Sequence, residues 1–271
     1  MDAILPPTHL ASQTTPARAG PGPRPLRGIG LAAGACLLTS LLAIGWLDGP
    51  TCRWLPDDPI RQADWLRYGV MPFKKIGDGE SGTPLGVAAV LAVVAILTMR
   101  RTGSWRELYR AGSATQRSAI VLGGGVVLAA LACNLLKLLL PRVRPRGLIH
   151  HDLTGLPGLH SFWYAGQLPI SPDYIGPGQG WWGAYPSAHT TAAFALATGV
   201  CCLWPGRLWI AVVAFSAAGL AGMSRLASLS HHPGDVLAGA ACGMMVVNLF
   251  AAYEQRSYGR LVLEEKIYPT R

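Results

Sequence analysis

Three short segments hold the residues whose types and spacing can do chemistry: KLLLPRVRP (137–145), PSAH (186–189) and SRLASLSHHPGD (224–235). Each sits at the edge of a long apolar run, where an ionisable side chain is expensive unless it has a task. Among the residues they hold are two histidines (His189 and His231), one carboxylate (Asp235) and three fixed cations (Lys137, Arg144 and Arg225). That set of groups suits phosphoryl transfer without a metal, because cations can hold phosphate oxygens while imidazoles attack phosphorus and move protons.

In the first segment Lys137 and Arg144 are seven apart, two helical turns, but Pro141 and Pro145 end a helix between them. Guanidinium groups grip phosphate bidentately, whereas lysine acts as a point charge. The competing assignment makes Lys137, Arg142, Arg144 and Arg146 interfacial anchors reaching toward lipid headgroups. In the second segment Ser187 opens an apolar run as a natural N-cap. Its hydroxyl and the Ala188 N–H can bond an anion at the helix start, with His189 beside them, unless His189 is simply structural. In the third, Pro233 marks a first helical turn, and Asp235 lies four residues after His231. A bond from one ring nitrogen of His231 to Asp235 would fix the tautomer and free the other nitrogen for attack. His232 is a rival at i, i+3, and the bland alternative is a helix-capping Asp235 near two surface histidines.

The elements that must position these groups are membrane spans. The chain has 271 residues, 51% hydrophobic and only 14% charged, which is too few charges for a soluble domain of this size. The net charge of +9 is scattered through short loops with no basic run, which argues against a nucleic-acid partner. Five of the six cysteines fall in apolar runs and none forms a CxxC pair, so free thiols and no metal site are expected. Six stretches near the ~20 residues needed to cross a bilayer run over 28–47, 82–99, 118–140, 187–204, 208–223 and 236–253. The fold expected is therefore all-α, a six-span transmembrane bundle spanning 27–255. Residues 1–26 form a disordered cytoplasmic tail before an uncleaved signal anchor, and 256–271 a cytoplasmic C-terminal tail. Between spans one and two, residues 54–80 mix aromatics with Arg and Lys, as in an amphipathic interfacial helix bordering a lipid entrance. The Lys and Arg bias favours both termini inside. All three segments then fall on one face, the extracytoplasmic one, of what is expected to be a bacterial inner membrane.

Taken in order, Lys137-x6-Arg144-Pro145, Pro186-Ser187-Ala188-His189 and Ser224-Arg225-x5-His231-x3-Asp235 resemble the type-2 phosphatidic acid phosphatase superfamily. The tripartite likeness covers the ends of spans three to six, and residues 73–80 (FKKIGDGE) look like a Gly-Asp turn often met before span two. The resemblance implies His231 as nucleophile forming a phosphohistidine, Asp235 as its orienting partner, and His189 as general acid and then base. It implies Lys137, Arg144, Arg225, Ser187 and the Ala188 amide as phosphate-binding groups, with neither metal nor cofactor. The family usually has Gly where this chain has Ala188, which fits if the residue is helical and is strained at positive φ.

The function expected is hydrolysis of a terminal phosphate or diphosphate on a membrane lipid: an isoprenyl diphosphate, a phosphatidylglycerol phosphate or phosphatidate, or a lipid A-type glycolipid. Transfer of the phosphoryl group to a second lipid uses the same residues. A small transporter, which Gly239 and Gly243 would permit as a helix-packing pair, is disfavoured because the ionisable residues avoid the span centres. The aromatics of the 147–185 loop fit either a headgroup pocket or an interfacial belt.

Overall fold

The computed structural model describes residues 26–54, 65–73, 114–150, 162 and 183–267, and among these every regular element is helical. In chain order they are α1 (Arg27–Trp46), α2 (Asp48–Trp54), a π-helical turn (Trp65–Val70), α3 (Ala114–Leu139), α4 (Pro145–His150), α5 (Ala188–Leu203), α6 (Leu208–Ala227) and α7 (Pro233–Ile267). Among the described residues four stretches are long and apolar enough to cross a membrane: Arg27–Trp46, Arg117–Leu139, Leu208–Ala227 and Pro233–Tyr258; α5 is apolar but shorter, at 16 residues. Five of the six expected spans thus coincide with helices, and the one at 82–99 lies outside the described residues.

Two helices outrun the sequence expectation. The fifth span continues to Ala227 and carries Ser224 and Arg225 inside its last turn. The sixth does not stop near residue 255 but runs as one helix to Ile267, because the chain there is rich in helix formers such as Leu261, Leu263, Glu264, Glu265 and Lys266 and has no proline before Pro269. The stretch 256–267 is therefore helical and continuous with the last span, whose apolar part ends at Tyr258. Helix α2 ends at Trp54, where the expected interfacial segment of 54–80 begins. Of that segment Trp65–Val70 is a π-helical turn, residues 55–64 and 74–80 lie outside the described residues, and Val70 packs with Met71 against Ala227 and Leu220 of α6.

Helix α7 is the hub, packing on α1, α5 and α3, while α5 also contacts α6 and α3. Small residues set how closely it packs. A Cβ on Gly239 would lie 2.6 Å from the Ser187 carbonyl oxygen, and one on Gly243 would strike the backbone of Thr191 and Ala195. The Gly239–Gly243 pair therefore lets α5 and α7 touch backbone to backbone, the small-xxx-small mode of membrane helices. The outer surfaces stay greasy: Leu31, Leu38, Leu131, Leu138, Val213 and Leu249 are exposed, as a lipid-facing surface requires.

Candidate active site

The C-terminal ends of α1, α3 and α6 and the N-terminal ends of α5 and α7 meet at one pole of the bundle, and every sequence-predicted site residue lies there. The start of α7 organises it. Pro233 occupies the first helical position, where its missing N–H is no loss. Three residues past the cap, Asp235 reaches back, and its Oδ2 accepts the backbone N–H of His232 at 2.8 Å. This is the acidic half of a capping box. Its Oδ1 accepts from Nη1 of Arg142 at 2.6 Å, with both side chains fully buried.

The ring of His231 is oriented by a different group from the one expected. Its Nδ1 lies 2.7 Å from the carbonyl oxygen of Ala184 but 3.9 Å from Oδ2 of Asp235, beyond hydrogen-bond range. Both oxygens of Asp235 are already committed, and the Ala184 carbonyl stands closer. The direct His231–Asp235 bond inferred from the i, i+4 spacing is accordingly replaced by His231–Ala184, while Asp235 remains a near charge. A carbonyl only accepts, so Nδ1 carries the proton and Nε2 keeps its lone pair. Burial pushes the His231 pKa well below 6.5, reinforced by Lys137, Arg144 and Arg225, so the ring is neutral at pH 7.

His232, the rival, has both ring nitrogens engaged. Its Nε2 donates to the Val143 carbonyl at 3.1 Å, and its Nδ1 faces the Cys52 thiol at 3.4 Å. Burial, then the Arg142 charge, brings its pKa down to about 4. It is wired into the wall of the site rather than aimed at a substrate.

The cations arrive from three elements. Lys137, in the last turn of α3, donates to the carbonyl of Gly183, a residue held at φ 71° where glycine is at ease. Arg144 flanks α4 and accepts on its carbonyl from Gly147 and Leu148. Burial, with Arg146 and Arg225 nearby, lowers its pKa to about 10, which leaves it charged at neutral pH. Arg225 is buried in the last turn of α6, and the chain after it doubles back: the Ser230 N–H bonds the Arg225 carbonyl at 3.1 Å through Leu229 at φ 51°. A left-handed leucine is strained. The Arg146 N–H, 3.1 Å from the Leu229 carbonyl, helps hold it.

Ser187 is the N-cap of α5, as expected, with its Oγ accepting from Thr190 Oγ1 at 2.9 Å and its backbone N–H bonding the Asp235 carbonyl at 3.0 Å. It is fully buried, so its hydroxyl is occupied with its own helix. Ala188 is the first helical residue and has no positive φ, so alanine fits in place of the glycine. His189 follows, half-buried in the same turn.

Two residues that the spacing did not single out complete the pole. Arg142, grouped by sequence with interfacial anchors, is instead wholly buried. Its Nη2 donates to Asp48 Oδ2 at 2.8 Å, and its guanidinium lies 4.9 Å above the ring of Phe162. Asp48, the first residue of α2, accepts the Gly234 N–H at 2.9 Å on its other oxygen. Burial raises its pKa to about 6 against the pull of Arg142. The signal for Asp48 was available: an acid at the edge of the first apolar run needs a partner.

An all-α bundle of apolar helices with histidines and converging cations at one pole defines a class of membrane-embedded phosphate-handling proteins. The chain belongs to the PAP2 superfamily, whose profile matches residues 118–258. It is 40% identical over 67 residues to a protein of Porphyromonas gingivalis named lipid A 1-phosphatase. The aligned stretch covers 24% of this chain and 15% of that relative. No solved structure matches the chain.

Proposed function

We propose that this protein is an integral-membrane lipid phosphatase that works through a phosphohistidine on His231, without a metal. The observation that carries the proposal is the convergence of Lys137, Arg144 and Arg225 on a neutral His231 whose Nδ1 is fixed by Ala184. Such a pole attracts a phosphate dianion and presents the Nε2 lone pair to it. Nε2 attacks phosphorus and the bond to the lipid oxygen breaks, while His189 donates a proton to that oxygen. His189 then takes a proton from water, the water oxygen attacks phosphorus, the P–N bond breaks, and orthophosphate leaves with His231 neutral again. The three cations, with the Ala188 amide at the start of α5, stabilise charge as it spreads over the phosphoryl oxygens. Ser187 supports that helix start as its cap. Asp235 acts by fixing the peptide that follows His231.

The substrate class is a lipid bearing a terminal phosphate, handled at the extracytoplasmic face of the inner membrane. The stretch shared with the lipid A 1-phosphatase favours a phosphorylated glycolipid over isoprenyl diphosphates and glycerophospholipid phosphates. The test is phosphate release by detergent-purified protein in EDTA, with phosphorylated lipid A, phosphatidate, phosphatidylglycerol phosphate and an isoprenyl diphosphate as substrates. Turnover on at least one, unchanged by EDTA, is expected. A folded wild type inactive on all four, or one stopped by the chelator, overturns the proposal.

A further inference from the structure

Asp235 does not bond the His231 ring, so the ring must be held in register by something else, and the bonds lead to Arg142. Its carbonyl accepts the Ala184 N–H at 3.0 Å, and the Ala184 carbonyl in turn accepts from His231 Nδ1 at 2.7 Å. Its guanidinium takes Asp235 at 2.6 Å, and Asp235 takes the His232 N–H at 2.8 Å, the peptide immediately after the nucleophile. One residue thus reaches His231 from two sides, by backbone through the ring and by side chain through the following peptide. The side-chain arm has a far anchor in Asp48, which binds Nη2 at 2.8 Å and the Gly234 N–H at 2.9 Å. Ser40 adds a bond from its hydroxyl to the Gly234 carbonyl at 2.8 Å, so α1, α2 and the start of α7 form one rigid corner.

We infer that Arg142, gripped between Asp48 and Asp235, is a positioning residue for the nucleophile, and that Asp48 acts on catalysis through it. The inference rests on His231 being the nucleophile. Only a guanidinium fork can give separate nitrogens to two carboxylates at once, which is why the residue is arginine. Removing Asp48 leaves Arg142 with one carboxylate and lets the guanidinium, and the His232 peptide behind it, shift. A displacement of about 1 Å at a reacting group can lower turnover about a hundredfold. Lys137, Arg144 and Arg225 are untouched, so substrate binding should hold.

The experiment compares wild type, Asp48→Asn, Arg142→Gln, Arg142→Lys and the Asp48→Asn/Arg142→Gln double variant. It uses whichever of the four lipids the wild type hydrolyses fastest, with turnover counted per folded molecule. Asp48→Asn should lower kcat about ten- to a hundredfold with KM within about twofold. Arg142→Gln should lower it further, Arg142→Lys should restore part, and the double variant should be no worse than Arg142→Gln alone. Where Arg142→Gln does not fold, Asp48→Asn decides. Loss of thermal stability with wild-type kcat in Asp48→Asn overturns the inference. A second readout needs no lipid: the rate at which phosphoramidate phosphorylates His231, followed by mass spectrometry. Slower labelling in Asp48→Asn supports the positioning role even if wild type hydrolyses none of the lipids, an outcome that defeats only the phosphatase reading. Equal labelling overturns the positioning role.

Discussion

Helices α3 and α7 bury charge at both ends, and the two ends do different things with it. At the far end Arg117 and Glu254 are both about 2% exposed, and the guanidinium lies 3.7 Å from the centre of the Tyr258 ring. There, among the described residues, Arg117 lies in the field of Glu254, and the arrangement fastens two helices. At the near end Lys137, Arg142, Arg144 and Arg225 gather around two carboxylates among the described residues, Asp48 and Asp235. Arg142 takes up both of these carboxylates, and the charge balance among the described residues at this end is positive, which suits an anion from outside. Burying charge is costly at either end. A matched pair explains itself as structure, whereas a surplus of one sign calls for a ligand of the other.

The largest effect that sharpens this contrast comes from exchanging cations at the two ends. Arg225→Ala or Arg144→Ala should lower kcat/KM for a lipid phosphate about a hundred- to a thousandfold, the loss typical of one oxyanion donor. Arg117→Ala should leave turnover per folded molecule within about twofold while lowering the thermal midpoint. Phosphate release and thermal unfolding of the same preparations check both. Equal losses of turnover at the two ends would erase the distinction.

A smaller effect concerns the helix contact beneath the near end. Gly243→Ala puts a methyl group into the backbone of Thr191 and Ala195 and should destabilise the bundle by about 1–3 kcal/mol. A methyl group on Gly219 in α6 would meet nothing within 4 Å, so Gly219→Ala should leave the thermal midpoint unchanged or slightly raised. Similar midpoints for the two variants would contradict the close α5–α7 packing.

The smallest effect is in pH dependence. The folded pKa of His231 lies below 6.5, so the nucleophile stays neutral as pH falls through 6.5 and is lost only at lower pH. The acid limb of kcat/KM that belongs to it should therefore fall below pH 6.5. Removing the positive charge of Arg225 favours the protonated ring, so Arg225→Gln should move that limb upward. A limb that stays put, or moves down, contradicts the placement of Arg225 near His231.

Much of this pole was legible in the sequence. The apolar runs foretold five described helices, and motif spacing brought Lys137, Arg144, Arg225 and His231 together, with Ser187 as the cap. Those features are local, set by hydropathy, proline and short-range periodicity. What was not legible depends on contacts between distant segments. Arg142 meets Asp48 and Asp235 across 94 and 93 residues, and Ala184 meets His231 across 47. The i, i+4 spacing correctly placed Asp235 beside His231, but spacing says nothing about which other donors compete for its oxygens.

The central claim is that His231 carries the phosphoryl group, and trapping it tests this most directly. Wild type and His231→Ala are mixed with a radiolabelled lipid phosphate, quenched in alkali, and the protein-bound label is mapped. Alkali-stable, acid-labile phosphate should map to His231 in the wild type and be absent from His231→Ala. Label on another residue, or equal turnover by His231→Ala, would contradict the claim.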